Sequence, residues 1–261
     1  MSEPVVCAVA DKIDMQRIKI SNGLFFDVPE RLAKTYENFE PCTTQVIKEQ
    51  LKPGSVFLDI GANFGFFSVL AASLVGPNGH VFAVEASPLV LPQLTANLAG
   101  FSNVDVIASA VGDRVGMTEF HMTDDFVNSG VAMSPFIAKS HKISVAIDRL
   151  DNLLNCHANF TGRVDFVKCD VQGDEYAVLS GLKETIDKNA KLQLIVEWAP
   201  TWMANAGFDG QALPEFLKGL GFHDIIVIDD YLKKTMSVSE MEEEFRKDTT
   251  GKRFCNVLAS K

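Results

Sequence analysis

The sequence predicts an α/β protein built on a doubly wound, mostly parallel β-sheet. Short apolar segments rich in β-branched residues recur along the chain, and segments with helical apolar spacing lie between most of them. One such strand, 56–60, leads into a turn bracketed by two glycines and then into a helix with apolar residues at 66, 67, 70 and 71. Strands that alternate with helices are typical of parallel sheets covered by helices on both faces.

Composition narrows the classes of function. The chain has 261 residues, of which 47% are hydrophobic, enough for a sizeable core. Its formal charge of −10 argues against a nucleic-acid partner, because phosphate binding requires a dense positive surface. No segment approaches the ~20 apolar residues of a membrane span, and the first residues lack the basic region of a signal peptide.

Cysteine usage indicates the compartment. The five cysteines are scattered, odd in number and without a CxxC pair. This usage is typical of reduced thiols, so we expect a cytoplasmic location and no zinc site.

Domain organisation is predicted to be simple. No repeat, low-complexity tract or linker interrupts the sequence, which predicts one domain over 1–261. Residues 1–52 are expected to form an N-terminal extension, in which strands 17–20 and 24–28 flank the hairpin signal Ser21-Asn22-Gly23. A helix over 40–52 ends the extension, and 53–261 forms the core.

The core elements follow in order. Strands are predicted at 56–60, 80–85, 104–108, 164–170, 192–197, 223–228 and 254–259. Helical spacing appears at Leu91, Leu94 and Leu98, and again at residues 178, 179, 182 and 186. The link 229–253 is highly charged and has room for only a surface helix, so we expect an antiparallel pair of strands at one edge of the sheet.

The turn after strand 56–60 is the main candidate for a ligand site. The glycines are spaced Gly61 to Gly65 with Asn63 between them, whereas a dinucleotide site requires G-x-G-x-x-G, and no Lys-Ser/Thr of a phosphate loop follows. Asp59 precedes the turn, and Glu85 ends the next strand, where an acid accepts hydrogen bonds from ribose hydroxyls. A nucleoside without pyrophosphate favours S-adenosylmethionine over NAD.

Seven segments in order resemble the FkbM family of S-adenosylmethionine-dependent methyltransferases, over roughly 40–260. They are DIGANFGFFS, VEASP, the helix with Leu94 and Asn97, AVGD, IDRLDNLL, VDFVKCDVQGDEYAVLSG and IVEWAP. The resemblance implies the seven-stranded class I methyltransferase sheet and O-methylation of a sugar or secondary metabolite. The family's D-V-E-G is D-V-Q-G here, with Gln172 in place of glutamate, and we expect Gln172→Glu to be tolerated.

Eight residues are candidates for binding S-adenosylmethionine or its product S-adenosylhomocysteine: Asp59, Gly61, Asn63, Gly65, Ser68, Glu85, Ser109 and Asp113. Ser109 and Asp113 follow the third core strand, where adenine would lie. Each candidate also has a structural interpretation, such as strand–helix packing for the glycines and helix capping for Asn63.

Asp170, Glu197 and His141 are the candidate catalytic residues, in that order. Asp170 ends the fourth core strand, where a carboxylate removes the proton of an acceptor hydroxyl. Trp198 and Trp202 are candidates for stacking on the acceptor. Segment 122–142, which has no clear periodicity, is predicted to be a mobile acceptor-binding lid.

The partner expected from these residues is a small molecule with a hydroxyl group, and nothing in the sequence requires a metal. Two other interpretations stay open. A nucleotide-dependent oxidoreductase uses a similar sheet, although the glycine spacing argues against it. A non-catalytic S-adenosylmethionine-binding protein is the other, because Gln172 replaces a carboxylate. The sequence does not predict an oligomeric state.

Overall fold

The fold of the chain is known from a computed structural model that describes residues 14–20, 23–123, 128–132 and 140–261. The strands of these residues are β1 (Met15–Lys19), β2 (Phe25–Pro29), β3 (Val56–Ile60), β4 (His80–Glu85), β5 (Val104–Ala108), β6 (Ala110–Gly112), β7 (Gly116–Met122), β8 (His141–Arg149), β9 (Phe166–Cys169), β10 (Gln193–Trp198), β11 (Asp224–Asp229), β12 (Lys234–Met236) and β13 (Cys255–Ser260). The α-helices are α1 (Glu30–Tyr36), α2 (Pro41–Gln50), α3 (Phe66–Val75), α4 (Leu91–Leu98), α5 (Leu150–Asn155), α6 (Glu175–Gly181), α7 (Lys183–Lys188), α8 (Pro200–Asn205), α9 (Leu213–Gly219) and α10 (Val238–Lys247).

The main sheet confirms the predicted α/β class. Its strand order is β12-β11-β13-β10-β9-β3-β4-β5, and the five strands from β10 to β5 pair in parallel. The antiparallel pair predicted at one edge is β11 with β13, and β13 also lies antiparallel to β10. In the described residues the sheet has an eighth strand beyond the seven expected, the three-residue β12 from the charged link.

Two apolar clusters cover the two faces of this sheet. Alternate residues of β3 point to opposite faces, so Phe57 joins one cluster and Leu58 the other. The Phe57 cluster includes buried residues of α1 to α4, and the Leu58 cluster includes buried residues of α5 to α10. Helices on both faces leave the carboxyl ends of the parallel strands as the place for a ligand.

The N-terminal extension lies against the Phe57 cluster. Strands β1 and β2 pair antiparallel as predicted, and residues 21–22 of the expected turn lie outside the described residues. The Asn97 side chain on α4 donates to the carbonyl groups of Asp27 and Phe64, at 2.9 and 2.7 Å. This one amide therefore links the extension to the turn after β3. Helix α1 was not predicted.

A three-stranded sheet, ordered β6-β8-β7, is inserted between β5 and β9. It was not predicted, although Ile143, Val145 and Ile147 of β8 alternate with smaller or polar residues, and most residues of β7 and β8 are at least partly exposed. Only residues 122–123, 128–132 and 140–142 of the expected lid are described. Among the described residues, no helix combines the length and apolar character that crossing a membrane requires.

Candidate active site

A cavity of about 680 Å³ opens at the carboxyl ends of the parallel strands. Its size is within the range of small-molecule sites. It is lined by α1 and the following segment (Leu32, Thr35, Tyr36, Phe39, Glu40), the β3–α3 region (Gly61, Ala62, Asn63, Phe66, Phe67), the end of β4 (Val84, Glu85, Ala86, Ser87), residues after β5 (Ser109, Ala110, Val111), the inserted region (Phe120, Asn128, Ser129, Gly130, Val131), the end of β9 (Lys168, Asp170, Val171, Gln172, Asp174) and the β10 side (Glu197, Trp202, Lys252, Phe254).

The turn after β3 has a backbone that depends on its glycines. Gly61 has a φ of +79°, and a Cβ at this position would lie 1.9 Å from the carbonyl oxygen of Asp170. Gly65 has a φ of +91° and begins α3. Gly61 thus permits close contact between the ends of β3 and β9. The backbone of Asp170 occupies the position that a Cβ of residue 61 would need.

Glu85 anchors the turn from the neighbouring strand. Its carboxylate is buried and accepts hydrogen bonds from the backbone N–H of Asn63 at 2.8 Å and of Ser87 at 2.7 Å. Burial raises the pKa of Glu85, and the two N–H groups oppose this by stabilising the charged form. The carboxylate faces the cavity, where it still has acceptor capacity for ribose hydroxyls.

Asp59 lies beneath the turn, outside the cavity lining. Its side chain is 2% exposed and accepts a hydrogen bond of 2.5 Å from the Ser68 hydroxyl on α3. Burial raises the pKa of Asp59 to about 6, while Lys168 acts in the opposite direction. Asp59 and Ser68 therefore join β3 to α3, and neither lines the cavity.

Lys168 is a site residue that the sequence interpretation missed. It is paired in register with Asp59, is 3% exposed, and places its ammonium group 3.0 Å from Oδ2 of Asp170. The charges of Asp170, Glu40 and Asp59 raise its pKa against the effect of burial. Its signal in the sequence is a single charged residue inside the otherwise apolar strand FVKC.

Gln172 stands where the resemblance implies a glutamate, and its backbone is left-handed with a φ of +60°. Its amide Nε2 donates to Oδ1 of Asp170 at 2.8 Å. Both carboxylate oxygens of Asp170 thus accept a hydrogen bond, one from Gln172 and one from Lys168. The other amide atom, Oε1, is buried with no hydrogen-bond partner.

Glu197 lies beside Asp170, at the end of the neighbouring strand. Val196 pairs with Cys169, so Glu197 and Asp170 occupy equivalent positions of parallel strands, on the same face. Glu197 is 5% exposed, and its Oε2 is buried without a hydrogen-bond partner. Burial, followed by the charges of Asp170 and Glu175, raises the pKa of Glu197 well above its ordinary value.

Glu40 was also missed. It precedes α2, is partly buried, and accepts a hydrogen bond of 2.9 Å from the amide of Asn256. Burial raises its pKa to about 7. Tyr36 and Phe39, which stack at 4.5 Å between ring centroids, complete this wall of the cavity. The N-terminal extension carried no sequence signal for a role in the site.

Part of the predicted lid does line the cavity. Residues 128–131 are among the lining residues, and the N–H of Ala132 donates to Oδ2 of Asp174 at 2.7 Å. Gly130 pairs with His121 of β7 as an isolated bridge. Residues 124–127 and 133–139 of the lid lie outside the described residues, so its mobility stays a prediction.

The two tryptophans have different surroundings. Trp198 is fully buried, with its indole N–H donating to the Gly210 carbonyl at 2.6 Å, so it packs in the core and does not stack on an acceptor. Trp202 lines the cavity and stacks on Phe254, with ring centroids 5.9 Å apart. Only the second ring is placed to contact a ligand.

The remaining candidates divide between the cavity and its surroundings. Gly61, Asn63, Glu85, Ser109, Asp170 and Glu197 line the cavity, whereas Asp59, Gly65, Ser68, Asp113 and His141 do not. Asp113 is exposed beside Arg114, and His141 is exposed at the start of β8. In the described residues, no group of three or more His, Cys, Asp or Glu side chains is arranged to hold a metal ion.

Several known methyltransferases are similar to parts of this chain. The 2-O-methyltransferase NoeI of Sinorhizobium fredii (strain NBRC 101917 / NGR234) is 26% identical over 189 residues, which are 65% of this chain and 76% of that protein. A protein-L-isoaspartate O-methyltransferase of Triticum aestivum is 31% identical over 80 residues, 31% of this chain and 32% of that protein. The solved structure of M. jannaschii TYW2 in complex with AdoMet has 14% identity and a TM-score of 0.49, covering 95% of this chain and 86% of that one.

The family itself is identified by a match over more than half of the sequence. Residues 59–223 match the model of the methyltransferase FkbM domain. This range begins at Asp59, before the glycine turn, and ends just before β11, so it contains the ends of β3, β4, β9 and β10 that form the cavity floor. The chain belongs to the FkbM methyltransferase family.

Proposed function

We propose that the protein transfers a methyl group from S-adenosylmethionine to a hydroxyl group of a small molecule. The observation that carries this proposal is the arrangement of carboxylates in one cavity. Glu85 faces it at the end of β4, and Asp170 and Glu197 face it from the ends of β9 and β10. The first position suits a ribose, and the other two suit a reacting hydroxyl.

The residues present fit a nucleoside without pyrophosphate. The turn has Asn63 where a dinucleotide-binding turn needs a glycine so that its backbone can approach a pyrophosphate. Glu85 would hold the ribose, with Asn63 and Ser109 beside it. When bound, S-adenosylmethionine supplies a methyl group on a positively charged sulfur.

The chain's own residues would act mainly by positioning. Well-oriented reactants account for a large part of the acceleration of a displacement reaction. Lys168 and Gln172 fix the carboxylate of Asp170 on the cavity floor. Trp202 and residues 128–131 bound the remaining space, where the acceptor would lie. We propose that the lid segment 122–142 determines acceptor specificity.

Two observations support a neutral hydroxyl acceptor, one from a relative and one from the charge of the cavity. NoeI is named a 2-O-methyltransferase, which supports transfer to oxygen. The cavity contains more acidic than basic side chains, with Glu40, Glu85, Asp170, Asp174 and Glu197 against Lys168 and Lys252. A neutral hydroxylated molecule is therefore favoured over a phosphorylated or carboxylated one, which these acids would repel.

Binding and turnover test the proposal separately. S-adenosylhomocysteine is expected to raise the melting temperature and NADH to leave it unchanged. Transfer of labelled methyl groups is then screened over neutral glycosides and other hydroxylated metabolites, with their phosphorylated forms as controls. Stabilisation by NADH without stabilisation by S-adenosylhomocysteine would favour the oxidoreductase. Cofactor binding without any transfer would favour the non-catalytic binding protein.

A further inference from the structure

Asp170 and Glu197 differ in how their carboxylates are already bound. Both oxygens of Asp170 accept hydrogen bonds from protein donors, Lys168 at 3.0 Å and Gln172 at 2.8 Å. A carboxylate whose two oxygens are already held by protein donors has less free acceptor capacity for a group of a bound molecule. Asp170 is therefore better suited to hold fixed geometry than to take up a proton.

Glu197 has the opposite character. Its Oε2 is buried in a side chain that lines the cavity, and no residue of the described chain donates a hydrogen bond to it. A buried polar atom without a partner costs stability, and such groups are rare unless a ligand or function uses them. The carboxylate of Glu197 thus has acceptor capacity that no donor of the described residues uses, in a side chain that lines the cavity.

We propose that Glu197 is the group that accepts the proton from the acceptor hydroxyl, and that Lys168, Asp170 and Gln172 form the positioning floor beside it. This inference rests on the proposed methyl transfer. As the hydroxyl oxygen forms its bond to the methyl carbon, the carbon–sulfur bond breaks and its electron pair stays on sulfur. The hydroxyl proton moves to the carboxylate of Glu197, so that a carboxylate and a sulfonium become a neutral acid and a neutral thioether.

The charges around Glu197 favour this role. Asp170 on β9, Glu175 on α6 and Glu40 before α2 raise its proton affinity, and Lys168 on β9 lowers it. Because three acidic side chains and only one basic side chain lie near Glu197, its carboxylate binds a proton more readily than that of an exposed glutamate does. A base whose pKa lies nearer to neutral pH removes a proton more effectively.

The test compares Glu197→Gln with Asp170→Asn, and Glu243→Gln on the exposed face of α10 is the control. Glu197→Gln is expected to lower kcat by about 100-fold or more, with the Kd of S-adenosylhomocysteine within about 3-fold of the wild-type value. If Glu197 is the base, kcat rises with pH as its carboxyl group loses its proton. Glu197→Gln is expected to abolish this rise. Asp170→Asn is expected to lower kcat while keeping that rise. Retention of the rise in Glu197→Gln, or its loss in Asp170→Asn alone, would overturn the assignment.

Two further measurements keep the inference testable if a variant fails to fold or no acceptor is found. Glu197→Asp keeps the carboxylate but withdraws it by one methylene, so it is expected to lose about 10-fold in kcat with the rise of rate intact. Carbon-13 NMR of labelled glutamate carboxyl groups, with S-adenosylhomocysteine bound, follows the resonance that is missing in Glu197→Gln. Titration well above ~4.3 supports the inference and titration near that value overturns it. An empty acceptor screen counts only against the proposed function.

Discussion

The ammonium group of Lys168 lies 3.0 Å from Oδ2 of Asp170, and both residues are on the face of the sheet that carries the cavity. The lysine side chain is only 4% exposed, and it also lies 4.7 Å from the centre of the Phe67 ring. This one cation holds three acids together, because Asp170, Glu40 and Asp59 all raise its pKa. The charges of the cavity floor therefore stabilise one another, and removing Lys168 is expected to affect all three acids.

Replacing the cation should destabilise the fold more at high pH than at low pH. Lys168→Met leaves buried acids without their counter-charge, which typically costs about 3–5 kcal/mol. The lysine lowers the pKa values of Asp59 and Glu40, so without it both bind protons more tightly in the folded state. Stability then falls as pH rises, and urea unfolding at pH 5 and pH 8 measures the difference.

The control for this variant is Lys183→Met, which removes an exposed pair with Asp187 at 2.6 Å. Such surface pairs contribute about 0–1 kcal/mol. Equal losses in the two lysine variants would mean that Lys168 is no more important than a surface lysine.

Gly61 is expected to be essential for the junction between β3 and β9. In Gly61→Ala the new Cβ would meet the Asp170 carbonyl at 1.9 Å, in addition to the cost of a left-handed alanine. Gly54 has a similar φ of +87° and nothing within 4 Å, so Gly54→Ala isolates the backbone cost of about 1–2 kcal/mol. We expect Gly61→Ala to lose a further ~1–3 kcal/mol or more in free energy of unfolding. Equal losses at both positions would contradict the close contact.

Glu85→Ala is expected to weaken binding of S-adenosylhomocysteine by about 10-fold or more, since hydrogen bonds to charged groups contribute about 1.5–3 kcal/mol. The variant also removes the acceptor of the Asn63 and Ser87 N–H groups, so part of the loss comes from the turn. Calorimetry gives the Kd, and circular dichroism confirms the fold. The control, Glu243→Ala, lies on the exposed face of α10. Unchanged affinity in a folded Glu85→Ala would place the ribose elsewhere.

Much of the frame of the site could be predicted from sequence. The apolar strand, glycine turn and helix over 56–71 form a local pattern, and Glu85 is placed by the length of the next strand–helix unit. The cavity residues that the sequence did not reveal depend on contacts between distant parts of the chain. Nothing near Glu40 or Tyr36 indicates that the extension forms a wall of the cavity, because their neighbours come from distant strands. Position at a strand end also did not distinguish Glu197, which lines the cavity, from Trp198, which points into the core.

Asp59 lies next to the glycine turn but outside the cavity lining. Its register partner Lys168 does line the cavity, so position along the strand does not exclude Asp59. The Asp59 carboxylate is instead held by the Ser68 hydroxyl on α3. A motif shows that an acid is present but not which neighbour its side chain contacts.

The buried position of Asp59 makes it a contributor to the pH dependence of stability. The pKa of Asp59 in the folded state, about 6, is above the ordinary value of ~3.9. This difference corresponds to a contribution of about 3 kcal/mol to the free energy of unfolding while Asp59 is protonated. Because the folded state binds the proton more tightly, this contribution is complete below pH ~4 and is lost as pH rises through about 6. Asp59→Asn should remove that part of the decline between pH 4 and pH 7, as measured by chemical unfolding. Asp113→Asn, at an exposed position, should keep the wild-type curve. A slope unchanged by Asp59→Asn would show that Asp59 does not titrate in this range.

The last prediction reverses an expectation drawn from the sequence. Gln172→Glu restores the residue usual in the family, yet the Gln172 amide donates to Oδ1 of Asp170 at 2.8 Å. A glutamate at position 172 replaces a hydrogen-bond donor with a second negative charge. We therefore expect the free energy of unfolding to fall by about 1–3 kcal/mol at pH 8. At pH 4 the protonated carboxyl group of the variant again supplies a donor, so the loss should become small. The control is Gln45→Glu, whose exposed amide donates to Glu49 at 2.7 Å and should contribute less than about 0.5 kcal/mol. Urea unfolding of both variants at the two pH values gives the comparison. A Gln172→Glu variant as stable as the wild type at pH 8 would mean that the two side chains separate at little cost.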